Sequence, residues 1–318
     1  MAAGEIELIR RYFTGLTPPR GDVALGIGDD AALIDVPAGH ELAVSTDVLV
    51  SGVHFPPDTH PSDIGFKALA VNLSDMAAMG AEPRWATLAL TLPAGDEEWL
   101  ARFAAGFREL AERFGVALVG GDLSSGSLNV AVQILGVVPA GSALRRDAAR
   151  LGDQVYVTGE LGGAALALRL LGEGAAQIPE ECLQRLRRPM PRVAAGLGLR
   201  GIARAAIDVS DGLFLDLARL AEASGVGADI ELERVPLCRP VAAIADREER
   251  MRLGLGSGDD YELCFTAPPD CERPLAGLAS RTGLAVTRIG AITAGDAVRW
   301  LLRDGSEFRP GQAGYQHF

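Results

Sequence analysis

The stretch AAIDVSDGLFLDLARLAEA, residues 205–223, decides the fold of the second half of the chain. Its first residues are small and apolar and predict a buried strand, whereas residues 213–223 repeat leucine and alanine at helical spacing. Between them lies an acidic turn, residues 208–212. A strand end, an acidic turn and a helix start in immediate succession predict an α/β fold that presents carboxylates where a strand ends.

Aspartate recurs beside small residues in several other places, namely residues 28–30, 46–47, 74–75, 121–122 and 258–260. Small neighbours let carboxylate and backbone oxygens approach a ligand, and oxygen is the donor that Mg²⁺ prefers. Two carboxylates about 4 Å apart repel by roughly 4 kcal/mol at an effective dielectric of about 20, so a cluster of them requires cations. If these segments converge, they predict Mg²⁺ held against phosphate. The alternative is that each aspartate caps a helix or closes a turn.

Length and charge limit the classes of protein to which the chain can belong. Its 318 residues favour two domains, 1–140 and 141–318, divided near the Pro139-Ala140-Gly141 break. The net charge of −12 argues against nucleic acid or an anionic membrane as the main partner. No apolar run approaches the ~20 residues of a membrane span, and no signal peptide is visible. We therefore expect a soluble, cytoplasmic protein.

Hydrophobic periodicity predicts strands and helices in both halves. Strands are predicted at 41–45, 85–92, 116–119, 128–138, 154–157, 205–207, 261–266 and 284–289. Helices are predicted at 5–13, 61–80, 96–114, 163–171 and 213–223. In this interpretation Thr46 and Asp47 lie at the end of a strand. Gly120-Gly121-Asp122 forms a loop whose glycines let a phosphate come close to the backbone. A faint similarity of residues 73–75 to 209–211, and of 28–31 to 258–261, fits two α/β halves that face one cleft.

The usual phosphate-binding motifs are missing from the sequence. It has no GxxxxGK[ST] loop, no GxGxxG fingerprint and no protein-kinase HRD/DFG set. Phosphate must therefore be held by metals, by backbone amides of glycine-containing turns and by a few arginines.

An ordered set of segments resembles the thiamine-monophosphate kinase family, which is part of the ATP-binding superfamily of aminoimidazole ribonucleotide synthetase. The set covers essentially the whole chain: GIGDDA (26–31), STD (45–47), VHF (53–55), residues 67–75, GGD (120–122), RR (145–146), DVSDG (208–212) and GDDYEL (258–263). The resemblance implies an α/β fold of the α+β type, with two mixed-sheet domains facing a common cleft. Family members commonly have a tyrosine near the adenine where this chain reads Phe103-Ala104.

The resemblance also implies an activity, which is transfer of the γ-phosphoryl group of ATP to thiamine phosphate, the last step of thiamine diphosphate biosynthesis. Several Mg²⁺ ions and a homodimer are implied with it. The first domain would bind metal and ATP and form the dimer, and the second would complete the ATP and substrate sites.

Site residues are implied position by position. The implied metal ligands are Asp30, Ser45, Thr46, Asp47, Asp75, Asp122, Asp208 and Asp211. The implied ATP contacts are Gly121, Asp122, Arg146 and Ser210, and the implied thiamine phosphate contacts are His54, Glu262 and Tyr315. No residue is implied as a general base.

Charge explains why the implied reaction needs no base. A phosphate monoester brings a charge of roughly −1.5 to −2, so two such substrates repel until cations lie between them. Because the acceptor oxygen is already ionised near neutral pH, we predict direct in-line transfer by positioning and electrostatic stabilisation, without a phosphoenzyme.

Each implied role has a simpler alternative. His54 is then an ordinary loop histidine, Arg146 a domain-junction salt-bridge partner, and Glu262 a turn residue. Tyr315 would pack the C-terminal tail, and Lys67 would be a snorkelling or ion-paired helix residue. Asp29 and Asp259 are expected to cap backbone amides rather than bind metal.

The sequence also limits the alternatives to a kinase. A selenophosphate synthetase requires a reactive cysteine or selenocysteine early in the chain, and the first cysteine here is Cys182. The hydrogenase-maturation relative requires a C-terminal cysteine, where this sequence reads His317-Phe318. A non-catalytic module that binds Mg²⁺ and nucleotide is the alternative from a different class, and the complete set of acidic residues together with Glu262 argues against it.

Overall fold

The computed structural model describes residues 4–309, 311, 314 and 315. It divides into two compact units, one of Met1–Met76 with Ala81–Gly141, and one of Ala77–Gly80 with Ser142–Phe318. No described helix is long and apolar enough to cross a membrane.

The first unit is built on a mixed sheet. Its helices are α1 (Glu5–Tyr12), α2 (Pro61–Ala78) and α3 (Glu97–Phe114), and its strands are β1 (Val23–Leu25), β2 (Leu33–Ile34), β3 (His40–Val50), β4 (Glu82–Leu92), β5 (Ala117–Ser125) and β6 (Asn129–Pro139). Four strands form the sheet in the order β3-β6-β4-β5, with β4 and β5 parallel and the other pairs antiparallel. The short strands β1 and β2 pair with each other.

Local signals in the sequence explain α3 and its packing. The Asp96 side chain accepts the amides of Glu98 and Trp99 at the start of the helix, and Gly115 ends it in the left-handed conformation. Phe103 and Phe107 lie on the buried face. On the same face, a side chain at Gly106 would overlap the backbone of Ser62, so glycine lets α3 approach α2 closely.

Two predictions about the first unit are wrong in their boundaries. The strand predicted at 41–45 extends over His40–Val50, so Thr46 and Asp47 lie in its interior and not at its end. Every residue of β3 has a partner in β6, and this continuous pairing outweighs the low strand propensity of aspartate. Likewise Gly120-Gly121-Asp122 is no loop, because β5 continues through it to Ser125, opposite β4.

The second unit contains a larger mixed sheet. Its strands are β7 (Gln154–Thr158), β8 (Ala205–Val209), β9 (Gly227–Glu231), β10 (Glu262–Ala267), β11 (Val286–Thr293), β12 (Val298–Leu301) and β13 (Glu307–Phe308), in the order β13-β12-β9-β11-β7-β10-β8. Its helices are α4 (Gly163–Gly172), α5 (Glu180–Arg187), α6 (Val193–Leu199), α7 (Leu213–Ser224), α8 (Arg239–Ala242), α9 (Arg247–Leu255) and α10 (Glu272–Thr282). Strands β9 and β12 are parallel and the other pairs are antiparallel.

The stretch 205–223 forms β8 and α7, as predicted. Helix α7 packs Leu213, Leu217 and Leu220 into the core against strand residues such as Ile207 and Ile230. Strand β8 is longer than predicted, so Asp208 is a buried strand residue and not part of the turn. Mixed sheets in both units confirm the predicted fold class.

Candidate active site

In the first unit, oxygen-bearing side chains meet between β3 and α2. Ser45 and Asp47 lie on the face of β3 that faces the helix. The Ser45 hydroxyl donates to Asp75 Oδ2 at 2.5 Å, and the Asp47 amide donates to Asn72 Oδ1 at 3.2 Å. The structure therefore brings together three of the predicted metal ligands, Ser45, Asp47 and Asp75.

Two other predicted ligands of this unit lie on the opposite face of the sheet. Thr46 alternates with Ser45, and Asp122 pairs with the exposed Ala89. Asp47 and Asp122 lie on strands at opposite edges, three strand spacings or about 14 Å apart. The first unit thus divides its predicted ligands between two faces.

The loop that contains Asp30 is held by its own neighbour. The Asp29 carboxylate accepts the amide of Asp30 at 2.8 Å, which is the capping role expected for Asp29. The adjacent strands pack Val23 and Ile34 against a cluster that includes Trp85. Asp30 itself is exposed.

One hydrogen bond orients the His54 ring, and another holds the backbone of His54. Its Nδ1 accepts the amide of Val50 at 2.9 Å, so the proton of the neutral ring lies on Nε2. The ammonium of Lys67 donates to the carbonyl oxygen of His54 at 3.3 Å. Lys67 is the only lysine in the chain, and it is buried and not snorkelling.

In the second unit, the acidic turn after β8 is fixed by a residue that the sequence analysis missed. Asp216 Oδ2 accepts the amides of Ser210 and Asp211 at 3.0 and 2.9 Å. Arg219 bridges the carboxylates of Asp211 and Asp216 at 2.5 and 3.0 Å. Burial, opposed by the two amides, raises the pKa of Asp216 to about 6.

A second segment, residues 256–261, interlocks with this turn. The amides of Asp259 and Tyr261 donate to the carbonyl oxygens of Ser210 and Val209 at 2.8 and 2.9 Å. Both residues have positive φ, 65° and 50°, a conformation that costs side-chain-bearing residues of order 1–3 kcal/mol. Strain of this kind persists only where the surrounding contacts impose it.

Tyr315 and Asp259 can also be placed. The amide of Tyr315 donates to the carbonyl oxygen of Asp211 at 3.0 Å, so this part of the tail lies beside the acidic turn. The side chain of Tyr315 is exposed. The carboxylate of Asp259 accepts the hydroxyl of Tyr261 at 2.8 Å.

Glu262 begins β10 and is completely buried. Its carboxylate accepts Nε and Nη2 of Arg192 at 2.7 and 2.5 Å, and the hydroxyl of Thr158 at 2.7 Å. The alternative of a simple turn residue does not describe this arrangement, because Glu262 forms a two-pronged ion pair inside the protein.

Arg146 is separated from the other predicted ATP contact of its unit. Its carbonyl oxygen accepts the hydroxyl of Ser224, at the C-terminal end of α7, at 2.6 Å. Ser210 precedes the other end of this 12-residue helix, about 18 Å away. The Arg146 side chain is exposed.

The chemistry of the donors suits a hard cation. Carboxylate and hydroxyl oxygens are the donors on both faces of the first unit and around the acidic turn, and such sets suit Mg²⁺. Among the described residues, no group of three or more His, Cys, Asp or Glu side chains is already arranged to hold an ion. Ser45 and Asp75, both predicted ligands, lie in direct contact.

Of the two site residues that the sequence did not predict, Asp216 has a recognisable sequence signal and Arg192 has none. Asp216 is an acidic residue in the first turn of a helix, where aspartate often accepts backbone amides. Arg192 had none, because it belongs to no motif and lies 70 residues before Glu262.

Comparison with known proteins identifies relatives along the whole chain. Two family models match: AIR synthase related protein, N-terminal domain, at residues 28–138, and AIR synthase related protein, C-terminal domain, at residues 150–301. The thiamine-monophosphate kinase of Salmonella typhimurium is 44% identical over 323 residues, which covers 100% of this chain and 99% of the relative.

Solved structures of similar proteins agree in fold. Thiamine-monophosphate kinase from Stenotrophomonas maltophilia K279a has 46% identity and a TM-score of 0.88, covering 95% of this chain and 97% of that one. A structure described as AaThiL complexed with AMPPCP and TMP has 31% identity and a TM-score of 0.76, covering 98% and 96%. The predicted aminoimidazole ribonucleotide synthetase-like fold is therefore confirmed.

Proposed function

Because this chain belongs to the thiamine-monophosphate kinase family, we propose that it transfers the γ-phosphoryl group of ATP to thiamine phosphate and forms thiamine diphosphate. One observation carries the proposal. The structure of a protein with the same fold has been solved in complex with AMPPCP, an ATP analogue, and TMP. Its alignment covers 98% of this chain at 31% identity.

The proposed reaction is a single displacement. A phosphate oxygen of thiamine phosphate forms a bond to the γ-phosphorus, the bond from that phosphorus to the β,γ-bridging oxygen breaks, and ADP leaves. The acceptor oxygen is already ionised, so the chain must position two anions rather than remove a proton.

We propose Mg²⁺ as the cation that makes this approach possible. Bound Mg²⁺ would neutralise charge on the phosphates. Its ligands would come from the oxygens of Asp30, Ser45, Thr46, Asp47, Asp75, Asp122, Asp208 and Asp211. The contact of Ser45 with Asp75 supports this assignment, because a half-buried carboxylate on a helix is stable when a donor or a cation faces it.

The remaining roles follow the same proposal. Gly121, Asp122, Arg146 and Ser210 bind ATP, and His54, Glu262 and Tyr315 serve thiamine phosphate. The fixed orientation of His54 supports its role, because Nε2 then carries a hydrogen-bond donor for a phosphate or pyrimidine acceptor. Residues 1–140 would bind metal and ATP and form the dimer, and residues 141–318 would complete the ATP and substrate sites.

A homodimer in the cytoplasm is proposed as the working form. Strand β3 is an edge strand, and Val44 and Val48, 52% and 44% exposed, form an apolar stripe with Leu42 on its open face. An exposed apolar edge strand favours association, and a second copy of the chain is the proposed partner.

The proposal is tested by product analysis. The purified protein is incubated with ATP, Mg²⁺ and thiamine phosphate, and the products are separated by chromatography. We expect thiamine diphosphate and ADP in equal amounts, and neither when thiamine or a precursor of aminoimidazole ribonucleotide replaces thiamine phosphate. Folded protein that forms no thiamine diphosphate under these conditions rejects the proposal.

A further inference from the structure

We propose that Arg192 binds the phosphate group of thiamine phosphate, and that Glu262 acts by holding Arg192 in place. The inference rests on the proposed function and changes the role of Glu262 within it. Glu262 becomes a positioning residue, and Arg192 becomes the residue that contacts the substrate.

The surroundings of Glu262 show why it does not contact a substrate directly. Its side chain has no exposed surface, and both carboxylate oxygens accept hydrogen bonds from Arg192 and Thr158. The neighbouring Gly159 has a φ of +59°, and a side chain there would overlap the Glu262 carboxylate. The carboxylate is therefore enclosed, and it occupies the space that a side chain at residue 159 would need.

Arg192 has the opposite character, because part of it faces outward. Its side chain is 24% exposed. Glu262 takes Nε and Nη2, and within the described part of the chain Nη1 donates no hydrogen bond. A guanidinium held along one edge by a buried carboxylate loses little conformational freedom when its other edge binds an anion.

The position of the pair points to the phosphorylated substrate. Glu262 pairs with Val209 across β10 and β8, and Val209 directly precedes the predicted ATP contact Ser210. Asp211 lies two residues beyond Val209 and adds negative charge beside this edge, and a fixed cation such as Arg192 offsets that charge for an approaching phosphate. Planar, charged N–H donors are suited to phosphate oxygens.

The test measures preference for phosphate, which is the dissociation constant of thiamine divided by that of thiamine phosphate. Titration calorimetry with Mg²⁺ and without ATP gives both constants for each variant. A hydrogen bond between charged groups contributes enough that Arg192→Gln is expected to lower this preference by about 10- to 100-fold. In steady-state assays we expect a raised KM for thiamine phosphate and an unchanged KM for ATP.

Additional variants separate binding from folding. Removing Arg192 alone leaves a buried carboxylate unpaired, so the double variant Arg192→Gln/Glu262→Gln is made in parallel. If Glu262 acts only through Arg192, the double variant shows the same phosphate preference as Arg192→Gln alone. Arg192→Lys keeps the charge but not the two-pronged pairing, and its preference is expected to be intermediate.

The chain provides a matched control. Arg204 pairs with the buried Asp153 at 3.0 Å. The two residues directly precede β8 and β7, whereas Glu262 lies beside the C-terminal ends of these strands. Arg204→Gln likewise removes the ion-pair partner of a buried carboxylate, and it is expected to leave the phosphate preference unchanged.

The outcomes distinguish a failure of the proposed function from a failure of the inference about Arg192. If the unmodified protein forms no thiamine diphosphate, the proposed function fails and the inference fails with it. If it is active and Arg192→Gln keeps the original preference, the inference alone is overturned. A change in the KM for ATP without a change for thiamine phosphate, or additive losses in the double variant, also overturns it.

Discussion

Asp75 shows at the level of one residue how packing and charge are balanced. The helix that carries it is otherwise buried along this turn, and the Ser45 hydroxyl contacts its carboxylate. Asp75→Asn keeps the shape of the side chain and a hydrogen-bond partner for Ser45, but it removes the charge that a cation requires. We therefore expect turnover to fall about 100-fold, corresponding to about 3 kcal/mol, with the fold retained.

The measurement is the rate of thiamine diphosphate formation across a range of Mg²⁺ concentrations. Asp304→Asn, at an exposed turn between β12 and β13, serves as the control and should behave like the unmodified protein. An Asp75→Asn variant with unchanged rate and unchanged Mg²⁺ dependence contradicts the ligand role.

Asp22 provides a residue-scale prediction about pH and stability. Hydrogen bonding to Arg20, assisted by the Trp85 indole and the charge of Arg84, lowers the pKa of Asp22 to about 2. Because this value is below that in the unfolded chain, the stabilisation is present above about pH 4 and is lost as pH falls from about 4 to 2. Asp22→Asn should lower the free energy of unfolding by about 2 kcal/mol at pH 7.

Urea denaturation at pH 7 and at pH 3 checks the Asp22 prediction. The difference between the unmodified protein and Asp22→Asn should be smaller at pH 3, while the exposed Asp58→Asn changes neither value. Equal differences at both pH values would show that the ion pairs of Asp22 do not account for its effect.

Residues at the site differ in how far the sequence predicted them. Ser45, Asp47 and Asp75 were predicted from a resemblance, and the structure brings them together. Arg192 was not predicted because its contact with Glu262 depends on how α6 and β10 pack, and no local pattern records that packing. Sequence neighbours such as Ser45 and Thr46 were given one role, yet the alternation of a strand places them on opposite faces.

At the level of elements, the pairing of β5 with β4 requires glycine at residue 121. Gly121 has a φ of +147°, and a side chain there would overlap the carbonyl oxygen of Leu88 in β4. We expect Gly121→Ala to lower the free energy of unfolding by about 2 kcal/mol or more and to impair ATP binding. Gly120→Ala is the matched control, because its added carbon meets only Thr87 Cγ2 at 3.9 Å.

Thermal unfolding and nucleotide titration of the two variants check this prediction. Gly121→Ala is expected to unfold at the lower temperature and to bind ATP more weakly than Gly120→Ala. Equal stability for both would mean that β4 can shift away from β5 at little cost.

Element boundaries were predicted best where local signals are strong. Helix α3 has an aspartate cap, a glycine stop and an apolar face, and its predicted range matches within one residue. Strands β9 and β12 were missed because charged residues (Asp229, Glu231 and Arg299) interrupt their apolar pattern, and pairing with distant segments holds them in the sheet. The same non-local pairing explains why β3 and β5 continue through aspartate and glycine, where the sequence indicated a strand end.

At the level of the whole molecule, the open face of β3 predicts self-association. Val44→Asp introduces a charge into the apolar stripe, and a symmetric dimer contains the change twice. Loss of two buried valines should weaken the dimer by roughly 3 kcal/mol or more. Sedimentation velocity at micromolar concentration should show a dimer for the unmodified protein and monomer for Val44→Asp.

Leu151→Asp controls for the introduction of a surface charge, since Leu151 is 68% exposed and lies in the other unit. It should leave the dimer intact. An unmodified protein that sediments as a monomer, or equal dissociation in both variants, contradicts the proposed surface.

The central claim for the molecule is that its residues position two anions for direct transfer and supply no nucleophile of their own. ATP made chiral at the γ-phosphorus with oxygen isotopes tests it most directly, through the configuration of the terminal phosphoryl group in thiamine diphosphate. A single in-line displacement predicts inversion at phosphorus. Retention of configuration would require a phosphorylated enzyme between two displacements and would contradict the account.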